Sequence, residues 1–155
     1  SFDNLCTLIR TLKQYSYNND IAEVIYIISD NDFEEYNDFI QINDLMDNLN
    51  ELFLKGDINQ ITLIYVPYIY NVFPEITRFT NQKNYSFENY PNYHKEQKLM
   101  VAQSAEFGWE YINFGNLVKA NNSIDNSLLN GLKYYMDDIH LSKQGINLLI
   151  DKINK

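Results

Sequence analysis

Two short apolar runs, Ala22-Glu-Val-Ile-Tyr-Ile-Ile28 and Gln60-Ile-Thr-Leu-Ile-Tyr-Val66, constrain the fold of this chain more than any other feature. Both are rich in β-branched residues, and both stop at turn-forming residues: Ser29-Asp-Asn31 after the first and Pro67 after the second. Nearly continuous apolar character is what a strand buried on both faces of a parallel sheet needs. The stretches around them carry the helical period instead. Phe2, Leu5, Cys6, Ile9 and Leu12 predict a helix over 2–15. Ile42, Leu45, Met46, Leu49, Leu52 and Phe53 predict a second over 42–55, stopped at Gly56. A third is expected over 93–107, closed by Gly108 and followed by a weaker strand at 110–113. Ser142 is placed to cap a last helix with an apolar stripe of Ile146, Leu149, Ile150 and Ile153. This alternation predicts a three-layer α/β domain with a mostly parallel sheet. Segments 67–92 and 113–139 read as long loops, and loops at strand ends are where such folds keep their sites.

At 155 residues the chain is expected to form one domain, spanning 1–155. Apolar residues make up 45% and aromatics 15%, which argues against disorder as the overall reading. A net charge of −9 argues against nucleic acid or an anionic membrane surface as a partner, because those surfaces recruit clustered Lys and Arg. Cys6 stands alone, so these residues form no internal disulfide and no thiolate metal cluster. No apolar run approaches the length of a membrane span. A Gly-rich phosphate loop is also missing, which speaks against nucleotide chemistry and leaves no cofactor implied. The sequence opens at Ser1-Phe-Asp-Asn without an initiator Met, so a leader or a longer N-terminal region is expected in the natural protein. Nothing in the residues assigns a compartment.

The chemistry concentrates in Tyr134-Tyr-Met-Asp-Asp-Ile-His-Leu-Ser-Lys-Gln-Gly145. His140, one of two histidines, follows Asp137 by three residues. A carboxylate that accepts from one ring nitrogen fixes the tautomer and leaves the other nitrogen free to take a proton. The plainer alternative is a surface histidine beside solvated acids. Position favours the pair, because it closes a long loop just before a capped helix. Asn31, just past the first strand, is the second candidate: its amide can donate to an oxyanion, although Ser-Asp-Asn-Asp also suits an ordinary strand exit. A calcium loop starting at Asp30 fails, since its sixth position is Glu35 rather than Gly and its twelfth is Gln41 rather than Glu. A metal site from Asp137, Asp138 and His140 stays open as an alternative, but it supplies few ligands and has no second cluster. His94 has no acidic neighbour in sequence and reads as a surface or loop residue.

Asp137-Asp-Ile-His140-Leu-Ser-Lys-Gln-Gly145 resembles the closing block of the SGNH (GDSL-type) hydrolases, and Ser29-Asp-Asn31-Asp32 resembles their Gly-x-Asn-Asp block, with Ser29 in place of Gly. The strand ending at Val66-Pro67 and the segment Gly108-Trp-Glu-Tyr-Ile-Asn113 sit where that family places later strands. The resemblance implies a flavodoxin-like α/β/α fold. It also implies a serine esterase or O-acyltransferase acting on a small acyl ester, such as an O-acetylated glycan. His140 would be the base, Asp137 its orienter and Asn31 an oxyanion donor. The family's Gly-Asp-Ser nucleophile block and its second oxyanion glycine have no counterpart here. The chain therefore reads as the C-terminal portion of such a domain, with its first strands upstream, removed or on another chain and its serine outside these residues; Ser1 is the alternative nucleophile, which the spacing disfavours.

Two rivals stand beside this reading. One is a non-catalytic relative that binds a ligand or partner, with Tyr65-Val-Pro-Tyr-Ile-Tyr70 and the aromatics of 79–93 stacking on sugar rings. Core packing is the more modest reading of those aromatics, and the preferred one. The other rival is a receiver-like or flavodoxin-like signalling module, weakened by the lack of an acidic trio with a downstream Lys and of a flavin phosphate loop.

Overall fold

The computed structural model describes residues 21–30, 39–55, 58–73, 93–121 and 133–155. Within them the chain is mixed α/β, with a three-stranded parallel sheet. In chain order come β1 (Ile21–Ser29), α1 (Phe39–Leu54), β2 (Ile58–Val66), α2 (Ile69–Val72), α3 (Tyr93–Phe107), β3 (Glu110–Asn113), α4 (Phe114–Ala120) and α5 (Lys143–Ile153). Contacts divide the chain into two compact units: residues 1–64 with 92–112, and residues 65–91 with 113–155.

The first unit holds the sheet, in the order β1-β2-β3. Two successive crossovers of the same hand, each to the next strand along, leave their helices on the same face of a sheet. α1 and α3 do touch one another. Their apolar sides supply buried Met46, Leu49 and Met100, and the strands supply Val24, Ile28, Ile61 and Leu63. Burying each such side chain contributes roughly 1.5–3 kcal/mol. Position in the sheet separates two runs that look alike in sequence. Central β2 is buried at every residue from Ile61 to Val66, as a strand covered on both faces should be. β1, at an edge among the described residues, alternates instead: Val24 and Ile28 are buried, while Ile25 is 45% and Ile27 56% exposed. The expectation of burial on both faces therefore holds for β2 and fails for β1.

Gly108 ends α3 by the route its residue type allows. Its φ of +75° is open to glycine at little steric cost. In that conformation the Gly108 amide donates to Ala105 O at 3.3 Å and the Trp109 amide to Ser104 O at 2.8 Å, so two orphan carbonyls are satisfied and the chain turns directly into β3.

The second unit corrects the reading of 67–92 and 113–139 as loops, because α2 and α4 lie inside those spans. Both are shorter than sequence periodicity can detect. α4 starts where the Asn113 side chain accepts from the Asn116 amide at 3.3 Å. α4 packs against both α2 and α5. Tyr65, Tyr68 and Tyr70 are buried, so they belong to the core and form no open stacking platform. Phe114 meets Tyr135 edge-on, with ring centroids 5.6 Å apart.

α5 begins as its sequence requires. Ser142 Oγ accepts from the Gly145 amide at 3.1 Å and donates to Lys133 O at 2.5 Å. The buried line of this helix is Gly145 with Leu149, while Ile146 and Ile150 remain about half exposed. The cause is a close approach: a Cβ on residue 145 would overlap the Tyr134 carbonyl oxygen. The helix is rolled so that its glycine faces that carbonyl, which swings the expected isoleucine stripe outward. Ala normally stabilises a helical position relative to Gly by about 0.5–1 kcal/mol. Gly145→Ala is expected to reverse that sign and destabilise the protein by about 1–3 kcal/mol through overpacking, measured by urea unfolding. A stabilised variant would show that the approach is not there.

Candidate active site

A small hairpin carries the candidate residues. Tyr135 and Leu141 form an antiparallel bridge. On either side of it the Met136 amide donates to His140 O at 2.7 Å and the Ser142 amide to Tyr134 O at 2.9 Å. Residues 136–140 are thus held as a closed loop, with its base against the first turn of α5.

Asp137 organises the interior of that loop. Its Oδ1 accepts from the Ile139 amide at 3.0 Å and from the His140 amide at 2.7 Å, the arrangement by which a short acid stabilises a turn. Oδ2 is left for the imidazole and receives His140 Nδ1 at 2.7 Å. The two backbone N–H groups, the His140 amide foremost, hold the Asp137 carboxyl down from its usual 3.8 to about 2. An ionised carboxylate only accepts, so Nδ1 must carry the proton of a neutral ring and Nε2 presents its lone pair. The His140 side chain is 71% exposed and that of Asp137 48%. A contact so open to water, even one between full charges, contributes only about 0–1 kcal/mol. The alignment therefore comes from the backbone bonds that fix Asp137 and from the i,i+3 spacing, with little help from charge attraction.

Further bonds fix where the hairpin sits. The Ile69 amide, at the start of α2, donates to Asp138 O at 2.8 Å. The buried Tyr135 hydroxyl donates to Pro67 O at 2.9 Å. Lys133 lies over the neighbouring Tyr134 ring, 5.4 Å from its centroid.

The structure brings together two of the three candidate residues, His140 and Asp137. Asn31, the third, lies outside the described residues. The neighbouring Asp30, the residue after β1, is buried. His94 falls in the first turn of α3. Among the described residues, no group of three His, Cys, Asp or Glu side chains is placed to hold a metal ion, and no helix is long and apolar enough to cross a membrane. Sequence reading missed Tyr135 as part of the site's support. Its adjacency to the Asp-x-x-His motif was visible, but its partner lies 68 residues away.

The lowered Asp137 pKa makes a signed prediction. The ionised form is favoured in the folded state, so its stabilising contribution is complete above about pH 4 and is lost as pH falls toward 2. Carboxyl NMR titration should give Asp137 a midpoint near 2. Asp137→Asn should flatten the fall in stability over that window, and a midpoint near 4 would mean that the turn bonds are not formed. The chain matches no protein-family model, and no curated protein sequence is significantly similar to it.

Proposed function

We propose that this chain contributes the base and its orienting acid to an SGNH-like serine esterase or O-acyltransferase acting on a small acyl ester, such as an O-acetylated glycan. One observation carries the reading: the 2.7 Å contact between His140 Nδ1 and Asp137 Oδ2, on a bridged loop that runs straight into the capped helix α5. In this reading Nε2 of His140 takes the proton of a serine hydroxyl as the oxygen attacks the ester carbonyl, then returns it to the departing alcohol. Asp137 keeps the ring in the tautomer that permits the first transfer and steadies the imidazolium that follows. Asn31 donates its amide to the tetrahedral oxyanion. The serine comes from a segment outside residues 1–155, and the finer fold is flavodoxin-like, to which a parallel sheet with crossover helices is congenial.

The openness of the pair favours a second reading, a non-catalytic relative that uses this surface to bind a ligand or partner. A base working in acyl transfer is normally shielded from bulk water, and His140 is not. Burial of Tyr65, Tyr68 and Tyr70 removes those three rings as sugar platforms in that reading.

A fluorophosphonate probe separates the two. In the complete protein, with whatever chain co-purifies, a single serine should label. His140→Ala should lower turnover of a chromogenic acetate ester by about 10²–10⁴-fold while the circular dichroism spectrum is kept. No labelled serine, or unchanged hydrolysis by the variant, would leave only the binding module.

A further inference from the structure

We propose that Tyr135 is a positioning residue for the Asp137–His140 pair, acting through its hydroxyl on the exit of β2. The inference rests on the catalytic reading only for its meaning in turnover, since its geometry stands independently.

Elsewhere the hairpin is held by its own backbone and by α5: the Tyr135–Leu141 bridge, the Ser142 cap and the close approach at Gly145. Those bonds define its internal shape. They do not tie it to the segment after β2. Bonds that do so are the Ile69 amide to Asp138 O and the Tyr135 hydroxyl to Pro67 O. The first is made by backbone, so side-chain chemistry cannot tune it. The second is made by a side chain.

Its setting is that of a fixed strut. Tyr135 is 2% exposed, and its ring stands edge-on against fully buried Phe114. A buried phenol needs a partner, and the Pro67 carbonyl supplies one at 2.9 Å. Tyr135 immediately precedes the closed loop, and its neighbour Met136 binds His140 O through its amide. A small rotation of residue 135 is therefore passed into the backbone between Asp137 and His140. Because the pair lies in water and its charge attraction is weak, backbone register decides whether Nδ1 points at Oδ2.

The test is Tyr135→Phe, which keeps the ring and removes one oxygen. The readout is the His140 ring in long-range ¹H–¹⁵N correlation spectra at a pH where it is neutral. The wild-type ring should show the Nδ1–H pattern imposed by Asp137, whereas an unconstrained histidine favours Nε2–H. Tyr135→Phe should shift the tautomer ratio severalfold toward Nε2–H with circular dichroism unchanged, a response that mere loss of stability would not produce in a folded protein. A wild-type tautomer ratio in the folded variant overturns the proposal.

Should the variant not fold, the wild-type hydroxyl proton decides. Slow exchange with solvent supports the tie, and exchange as fast as that of an exposed tyrosine removes it. In an active complete protein, Tyr135→Phe should lower kcat with little change in KM. If the tautomer shifts but no ester is hydrolysed, the enzymatic reading fails and the positioning role survives. If hydrolysis is present and the tautomer is unmoved, the reverse holds.

Discussion

A single carboxylate sets the local order on which the candidate site depends. Asp137 offers two oxygens to three N–H groups and divides them by type: backbone on Oδ1, imidazole on Oδ2. The backbone bonds come first in the physical hierarchy. They bend the chain into the turn that puts residue 140 back over residue 137, and they are the main cause of the lowered carboxyl pKa. Ring orientation then follows from what is left over.

That economy explains how an exposed pair can be well aligned. In a buried triad, low dielectric would strengthen every bond. Here water competes for each one, so a direct charge pair would hold loosely. The alignment is delegated to groups that water reaches less easily: a bridge at the base of the loop, a capped helix beneath it, and a buried tyrosine behind it.

Gly145 and Ser142 show how closely support and site are built together. Ser142 caps α5 and also donates to Lys133 O, joining the two ends of the hairpin segment. Gly145 lets the helix axis come in against Tyr134 O, and this sets the roll of α5 and leaves Ile146 and Ile150 about half exposed. A larger residue at 145 would lift the hairpin, and with it the pair.

What depends on neighbours within a few residues can be read from the residues alone. Apolar periodicity marked α1 and α5, runs of β-branched residues marked β1 and β2, and Gly108 and Ser142 marked the end of α3 and the start of α5. The pairing of Asp137 with His140 belongs here too, because a three-residue spacing and a turn-forming acid favour it, although its alignment is held by packing around the hairpin. The remaining features arise from packing between distant segments. Whether an apolar strand is covered on one face or two depends on its place in the sheet, so β1 and β2 diverge despite similar composition. Four- and seven-residue helices are too short to imprint a period, so α2 and α4 were hidden inside apparent loops. The tie from Tyr135 to Pro67 spans 68 residues, and no local pattern encodes a bond between groups that only packing brings together.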